Sequence, residues 1–128
     1  MNLFDPSAII NLCGERKIDQ LIDGCTLDLA FYEVGNAVWK QVHVYKAITI
    51  EEGNTVLDSL TEVIKRLREI EVKNPLEILK IAVEEDLTYY DASYLDAAIK
   101  NGLTLVTDDK KLYAVGKKYV ETLKSDEL

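Results

Sequence analysis

Strand-like and helix-like segments alternate along this chain. That order predicts an α/β protein, a three-layer α/β/α sandwich around a central parallel sheet. Three observations carry the prediction. Short apolar runs bounded by turn residues, at 1–4 and 103–107, have the length and composition of buried strands. Between them, apolar residues recur at three- and four-residue spacing, the period of a helix packed on one face. Helix-start signals recur at Asp5-Pro6, Thr49 with Glu52, Asn74-Pro75 and Thr88 with Asp91.

Taken in order, residues 1–4 form the first strand. Asp5 caps the next helix and Pro6 takes its first position, where a missing N–H is tolerated; residues 8–13 continue it. Residues 26–30 alternate weakly and read as a second strand. From 31 to 45, Val34, Ala37, Val38, Gln41, Val42 and Tyr45 keep helical spacing. Gly35 and Ala37 within that helix predict close approach of another element. Thr49 and Glu52 form a capping box that opens a helix carrying Val56, Leu60, Val63, Ile64 and Leu67. Residues 70–72 are a brief strand candidate. Asn74-Pro75-Leu76-Glu77 starts a helix through Ile78, Leu79, Ala82 and Val83. Thr88 with Asp91 is a further capping box, and its helix runs through Tyr94, Leu95, Ala98 and Ile99 to Asn101-Gly102, where glycine suits a left-handed exit. Residues 103–107 are a buried strand. Asp108 or Asp109 begins a short helix through Leu112 and Val115, and residues 119–123 form the last strand.

There is no repeat, no low-complexity stretch and no proline-rich linker, so residues 1–128 read as one domain. Hydrophobic residues are 48% and charged residues 30%, the balance of a folded soluble chain rather than a disordered one. No apolar run approaches the ~18–20 residues that cross a bilayer. No basic stretch followed by an apolar one opens the chain, so a signal peptide is not expected. With only Cys13 and Cys25, reduced thiols and a cytoplasmic location are expected. The final Ser125-Asp126-Glu127-Leu128 resembles an endoplasmic-reticulum retention signal, but without a signal peptide it reads as a solvated acidic tail. The net charge of −8 excludes broad nonspecific nucleic-acid binding, which needs a basic surface. It does not exclude a nuclease whose carboxylates recruit a cation that then meets the phosphate.

The candidate chemistry lies in four acids. Asp5 ends the first strand, Glu33 opens the helix after the second, and Asp109 follows the strand at 103–107. Asp91 sits in the first turn of the helix leading into that strand. In a doubly wound sheet, positions beyond the carboxyl ends of strands converge where strand order reverses. Carboxylates gathered there repel one another, and Mg²⁺ or Mn²⁺, which prefer oxygen ligands, would relieve the repulsion. The reaction then indicated is hydrolysis of a phosphodiester by water. Capping is the competing explanation: Asp5, Asp91 and Asp108 stand where an acid satisfies free N–H groups at a helix start, and position alone leaves the two readings even.

Other residues read as structural. His43 is the only histidine and has no partner at zinc-ligand spacing, so a surface or packing role is expected. Cys13 reads as core. Tyr89, Tyr90 and Tyr94 could stack on bases, but Tyr90 and Tyr94 share a helical face and core packing is the better reading. Lys110 and Lys111 either contact phosphate or cover a solvated helix.

Four segments together resemble a known family: Leu3-Phe4-Asp5-Pro6-Ser7-Ala8, Tyr32-Glu33-Val34-Gly35-Asn36-Ala37, Leu87-Thr88-Tyr89-Tyr90-Asp91-Ala92-Ser93-Tyr94 and Leu105-Val106-Thr107-Asp108-Asp109-Lys110-Lys111-Leu112. In this order and separation they are similar to the motifs of PIN domains, above all the small VapC-type toxins of toxin–antitoxin pairs. The resemblance implies an α/β/α sandwich and an Mg²⁺- or Mn²⁺-dependent endoribonuclease acting on RNA. It carries over Asp5, Glu33, Asp91 and Asp109 as catalytic and metal-site acids, with Ser7, Asn36 and Thr107 supporting them. Asp109 is preferred to Asp108 because the family pattern is threonine, any residue, aspartate; Asp108 is an extra ligand or a cap. A homodimer and a small antitoxin partner, which often inserts an arginine among the acids, are implied as well. Asp96 departs from the family's small apolar residue. Five residues after Asp91, it is roughly 140° round the helix and should face away from the site. A catalytically silent module of the same fold, acting through protein–protein contacts, is the alternative. A phospho-acceptor receiver domain is set aside, because Asp5 has no acidic neighbour and Lys73-Asn74 follows the mid-chain strand.

Overall fold

The computed structural model describes all residues, 1–128. The elements are β1 (Asn2–Phe4), α1 (Pro6–Gly14), a 3₁₀ turn (Ile18–Leu21), β2 (Cys25–Thr26), α2 (Leu29–Trp39), a π-helical turn (Lys40–Val44), α3 (Ile50–Arg66), β3 (Arg68–Glu69), α4 (Pro75–Glu85), α5 (Tyr89–Asn101), β4 (Thr104–Val106), α6 (Lys110–Gly116), β5 (Thr122–Leu123) and a final 3₁₀ turn (Ser125–Glu127). All strand pairs are parallel, in the order β3-β2-β1-β4-β5. The chain winds outward from β1 to β3, then returns to the other side of β1 with β4 and β5. The order therefore reverses between β1 and β4, in register from Asn2 opposite Thr104 to Phe4 opposite Val106.

Period-two alternation in the central strands builds a core on each face of the sheet. Phe4 and Val106 point to one side, with Ala8, Ile9 and Leu12 of α1, Ala30, Val34 and Val38 of α2, and Leu60 and Val63 of α3. Leu3 and Leu105 point to the other, with Ile78 and Ala82 of α4, Tyr94, Leu95 and Ala98 of α5, and Leu112 and Val115 of α6. The expected three-layer sandwich is present.

Several helix ends are as expected. Asp5 accepts the Ala8 N–H ahead of Pro6. The Thr49–Glu52 capping box is complete in both directions. Gly102 ends α5 at φ 62°, where a side chain would be strained. Elsewhere the sequence reading needs correction. Thr88 accepts the Asp91 N–H, but Asp91 does not reach back, so that capping box is one-sided. Asn74 makes no side-chain cap bond, and Pro75 alone marks the start of α4.

The second strand is Cys25–Thr26 rather than 26–30, because Asp28 is already helical and buried Ala30, Val34 and Val38 share the 3.6-residue period. The third is Arg68–Glu69 rather than 70–72; it is an exposed edge strand, where apolar patterning does not apply. The last strand spans only Thr122–Leu123, and the helix expected at 31–45 is α2 plus the π turn. Gly35 faces no neighbour within 4 Å, so the predicted close approach is absent there. It occurs at Gly53, where an added Cβ would lie 2.7 Å from Val42. The acidic end is not a free tail: Ser125 is buried and Leu128 packs against the core.

Asp96 faces away from the β1–β4 end, as its helical phase predicts, towards the link between β3 and α4. It is 3% exposed, and its Oδ1 has no hydrogen-bond partner. Lys100, one turn on, is paired with Glu77 instead. Burial raises the Asp96 carboxyl above the usual range, only partly offset by the Lys100 charge. A raised native value means that stability is lost as pH climbs from the unfolded-state value, near 3.9, through the native one. Asp96→Asn should therefore raise the melting temperature by roughly 2–6 °C at neutral pH. The gain should shrink towards about pH 4, which melts across a pH series would show.

Candidate active site

The site lies at the carboxyl ends of β1 and β4, where a doubly wound sheet opens a crevice. β1 delivers Asp5 and β4 delivers Thr107, with the Asp5 N–H bonded to Val106 O at 3.2 Å to hold the two strand ends together. Asp5 is buried. Its Oδ1 accepts from Ser7 Oγ at 2.6 Å and from the Ala8 N–H at 3.0 Å, and its Oδ2 accepts from Thr107 Oγ1 at 2.6 Å. Thr107 Oγ1 in turn accepts the Asp109 N–H, and Ser7 Oγ accepts the Asp108 N–H at 2.9 Å. The three polar side chains thus tie the two loops into one rigid floor.

Asp5, Glu33, Asp91 and Asp109 line a single cavity of about 520 Å³, together with Ser7 and Asn36. The convergence expected of the four acids is present. Capping and site geometry are not exclusive: Asp5 caps α1 through one oxygen, and Asp109 caps α6 through Oδ1, which accepts the Leu112 N–H at 2.8 Å. Asp91 is different, because the Thr88 hydroxyl does the capping there. Glu33 lies in the middle of its cavity-facing helix; its one hydrogen bond is from Tyr94 Oη, at 3.1 Å.

The electrostatics follow from this crowding. Burial is the main cause of a raised Glu33 carboxyl, at about 7, with the Asp91 and Asp5 charges adding to it and the Tyr94 hydroxyl opposing. Burial likewise lifts Asp91 to about 6, helped by Asp109 and Asp5. Asp5 is raised by burial against the pull of its three donors. None of the four acids takes part in an ion pair within the chain.

Asp108 is a tie rather than part of the cavity: its carboxylate accepts the Ser125 N–H and the Asn11 amide, pinning the C-terminal turn and α1. Lys111 pairs with Asp86, and neither Lys110 nor Lys111 reaches the cavity. Tyr94 is core, as expected, yet also touches the site through Glu33; Tyr90, expected in the core beside it, is exposed at the cavity rim. Sequence reasoning also missed Tyr32 and Lys40 as lining residues. The available signal was helical phase, since Asn36 and Lys40 follow Glu33 at three and seven residues. His43 is a surface residue stacked on Trp39, and Cys13 packs against the core.

Residues 5–118 match the PIN domain. The chain belongs to the PIN-domain family. Among its relatives is an Exonuclease VapC9 of Pyrobaculum aerophilum, 36% identical over 114 residues, covering 88% of this chain and 83% of that one. Ribonuclease VapC3 of the same organism is 38% identical over 104 residues, covering 77% and 76%. The crystal structure of PAE2754 from Pyrobaculum aerophilum aligns with a TM-score of 0.83 at 31% identity, covering 98% of this chain and 91% of that one. The chain is thus a PIN domain of the VapC type. No helix in it is long and apolar enough to cross a membrane.

A divalent cation is the group that this family implies, and the donor set suits a hard one: carboxylates, a hydroxyl and an amide, with no cysteine or histidine in the cavity. As the side chains stand, no three acids form a ready-made cage. Acids holding one cation together would have to close on it by side-chain rotation, with water and substrate phosphate filling the remaining positions.

Thr107 is the residue on which this floor turns. Thr107→Val keeps the shape but removes a donor from the buried Asp5 and an acceptor from the Asp109 N–H. Urea unfolding should show a loss of about 1–3 kcal/mol at neutral pH. The loss should be smaller in acid, where a protonated Asp5 no longer needs the bond.

Proposed function

We propose that this PIN-domain protein is a metal-dependent endoribonuclease, the toxin of a toxin–antitoxin pair, hydrolysing RNA phosphodiester bonds with Mg²⁺ or Mn²⁺. The observation that carries the reading is the set of four acids in one cavity, two of them lifted to about 6 and about 7 without a cationic partner. Asp5, Asp91 and Asp109 would hold the cation directly, with Glu33 acting through water. The cation, when bound, supplies charge neutralisation at the phosphate and lowers the barrier to ionising water. Glu33, whose carboxyl is lifted to about 7 in the metal-free cavity, would orient the attacking water and take its proton. Water forms the new bond to phosphorus, one ester bond breaks, and the departing oxygen takes a proton from solvent. Asp5, held by Ser7 and Thr107, would offer the cation a carboxylate fixed relative to the strand ends. Asn36, on the α2 face that carries Glu33, is suited to hold a phosphate oxygen or a bound water.

Internal cleavage needs acids that can be reached without threading a chain end, and the exposed rim residues Tyr32 and Tyr90 place the cavity at the surface. A small antitoxin is supported by the acids themselves, since a guanidinium would relieve the same repulsion as a cation. A homodimer is supported by the exposed stripe Leu76, Leu79 and Val83 on α4. Work in the cytoplasm is supported by Cys13 and Cys25, both free thiols.

Purified protein with Mn²⁺ should cut a circular RNA, which has no end to start from, and Asp5→Asn should leave it intact. Cleavage of linear RNA alone would make the enzyme an exonuclease, and equal cleavage by the variant would remove Asp5 from the chemistry. The acids also fix a pH dependence. Because the native Glu33 and Asp91 values are raised, their contribution to metal-free stability is present in acid and is lost as pH rises through about 6 to 7. Ionised acids bind the cation, so the melting-temperature gain from Mn²⁺ should be larger at about pH 8 than at about pH 5. No gain at either pH would favour the silent module.

A further inference from the structure

Two exposed aromatic rings flank the acid cavity, and each immediately precedes an acid. Tyr32 stands before Glu33 on α2, and Tyr90 before Asp91 on α5. One residue's rotation, about 100°, carries each ring from the floor to the rim. Tyr32 is 71% and Tyr90 57% exposed, so neither ring serves the core. Tyr32 is braced edge-on by Phe31, with ring centroids 5.4 Å apart. The cavity has a single cationic lining residue, Lys40, which takes no part in any ion pair of the chain. It lies seven residues after Glu33 on the same helical face, roughly 10 Å along the axis, at one end of the cavity lining. The rest of the lining is acidic or neutral, and the chain as a whole carries −8, so affinity for a polyanion needs a source other than general charge.

Resting on the nuclease reading above, we propose that Tyr32 and Tyr90 stack on unpaired bases on either side of the scissile phosphate while Lys40 holds a flanking phosphate. Aromatic faces accept any base but only one that is splayed out of a helix, and an A-form duplex keeps its bases stacked inside.

Kinetics of the Mn²⁺-loaded protein on a short single-stranded RNA, and on the same sequence annealed to its complement, test this. The single strand should be cut and the duplex resist. Tyr32→Leu and Tyr90→Leu should each raise KM about tenfold, the lower part of the usual stacking range, with a much smaller change in kcat. Tyr→Phe at either position should restore KM, because the ring and not the hydroxyl makes the contact. Lys40→Gln should raise KM and reduce the salt slope of binding by about one. Unchanged KM in both leucine variants overturns the proposal and leaves the rings to a protein partner; so does equal cleavage of the duplex. If wild-type protein cuts nothing, the nuclease reading fails separately. Fluorescence anisotropy of labelled single-stranded RNA then decides the stacking claim: weaker binding by the leucine variants supports it, and unaltered binding overturns it.

Discussion

The hydrogen bond from Thr107 Oγ1 to Asp5 Oδ2 joins residues 102 positions apart in sequence and crosses the gap where the sheet reverses its order. β1 and β4 are each only three residues long, so their pairing alone would leave the loops beyond them free to diverge. The Thr107 hydroxyl, with Ser7 donating to the same carboxylate, fixes both loops to a single buried atom group. From there α1 and α6 start at defined points, each capped by an acid that also faces the cavity. The two cores above and below the sheet set where α2 and α5 lie, and those helices bring Glu33 and Asp91 to the floor that Asp5 anchors.

This arrangement sets function against stability in a definite way. Four acids share a cavity and none of them is in an ion pair, and the work of ionising them appears as raised values for Asp5, Glu33 and Asp91. A structural protein would neutralise such a group or pair it, as this chain does at its surface with Lys118 and Glu85. Here the unmet charge would give a bound cation its differential affinity for the folded state. The same debt is open to any positively charged group that fits, so the metal and the basic side chain of an inhibitor proposed above would compete for one cavity. Asp96 is the contrasting case: a buried carboxylate with an unpartnered oxygen, remote from the four acids and not used by the chemistry proposed for them.

Much of the fold was legible because its signals are local. Proline and acid at the start of α1, the Thr49–Glu52 box and the glycine after α5 act within a few residues, and the central strands announce themselves by burial on both faces. The two-residue strands did not, since Cys25–Thr26 and Arg68–Glu69 are strands only by virtue of pairing with distant partners. The acids were legible as positions, while the choice between capping and convergence needed three dimensions. Asp109 turned out to do both, and Asp91 to leave capping to Thr88. The Tyr94–Glu33 bond, across 61 residues, had no local signature; neither did the role of Asp108, which ties down a C-terminal segment that composition alone paints as solvated.

The π turn after α2 has a further consequence. Tyr45 N–H bonds back five residues to Lys40 O, so the segment Lys40–Val44 absorbs one more residue than an α-helical turn would. None of its five residues is buried. Everything before it, the face bearing Tyr32, Glu33 and Asn36, keeps an uninterrupted helical phase, and Lys40 opens the turn itself. Everything after it, through α3, packs in a phase of its own, with Gly53 admitting Val42. The turn therefore behaves as a mechanical clutch between two surfaces. Chain length can change on its far side, and the outward apolar residues there, Tyr45, Ile50 and Val56, can be re-aimed without rotating a single cavity residue. A lineage of such proteins could exchange its binding companions while leaving its chemistry in register.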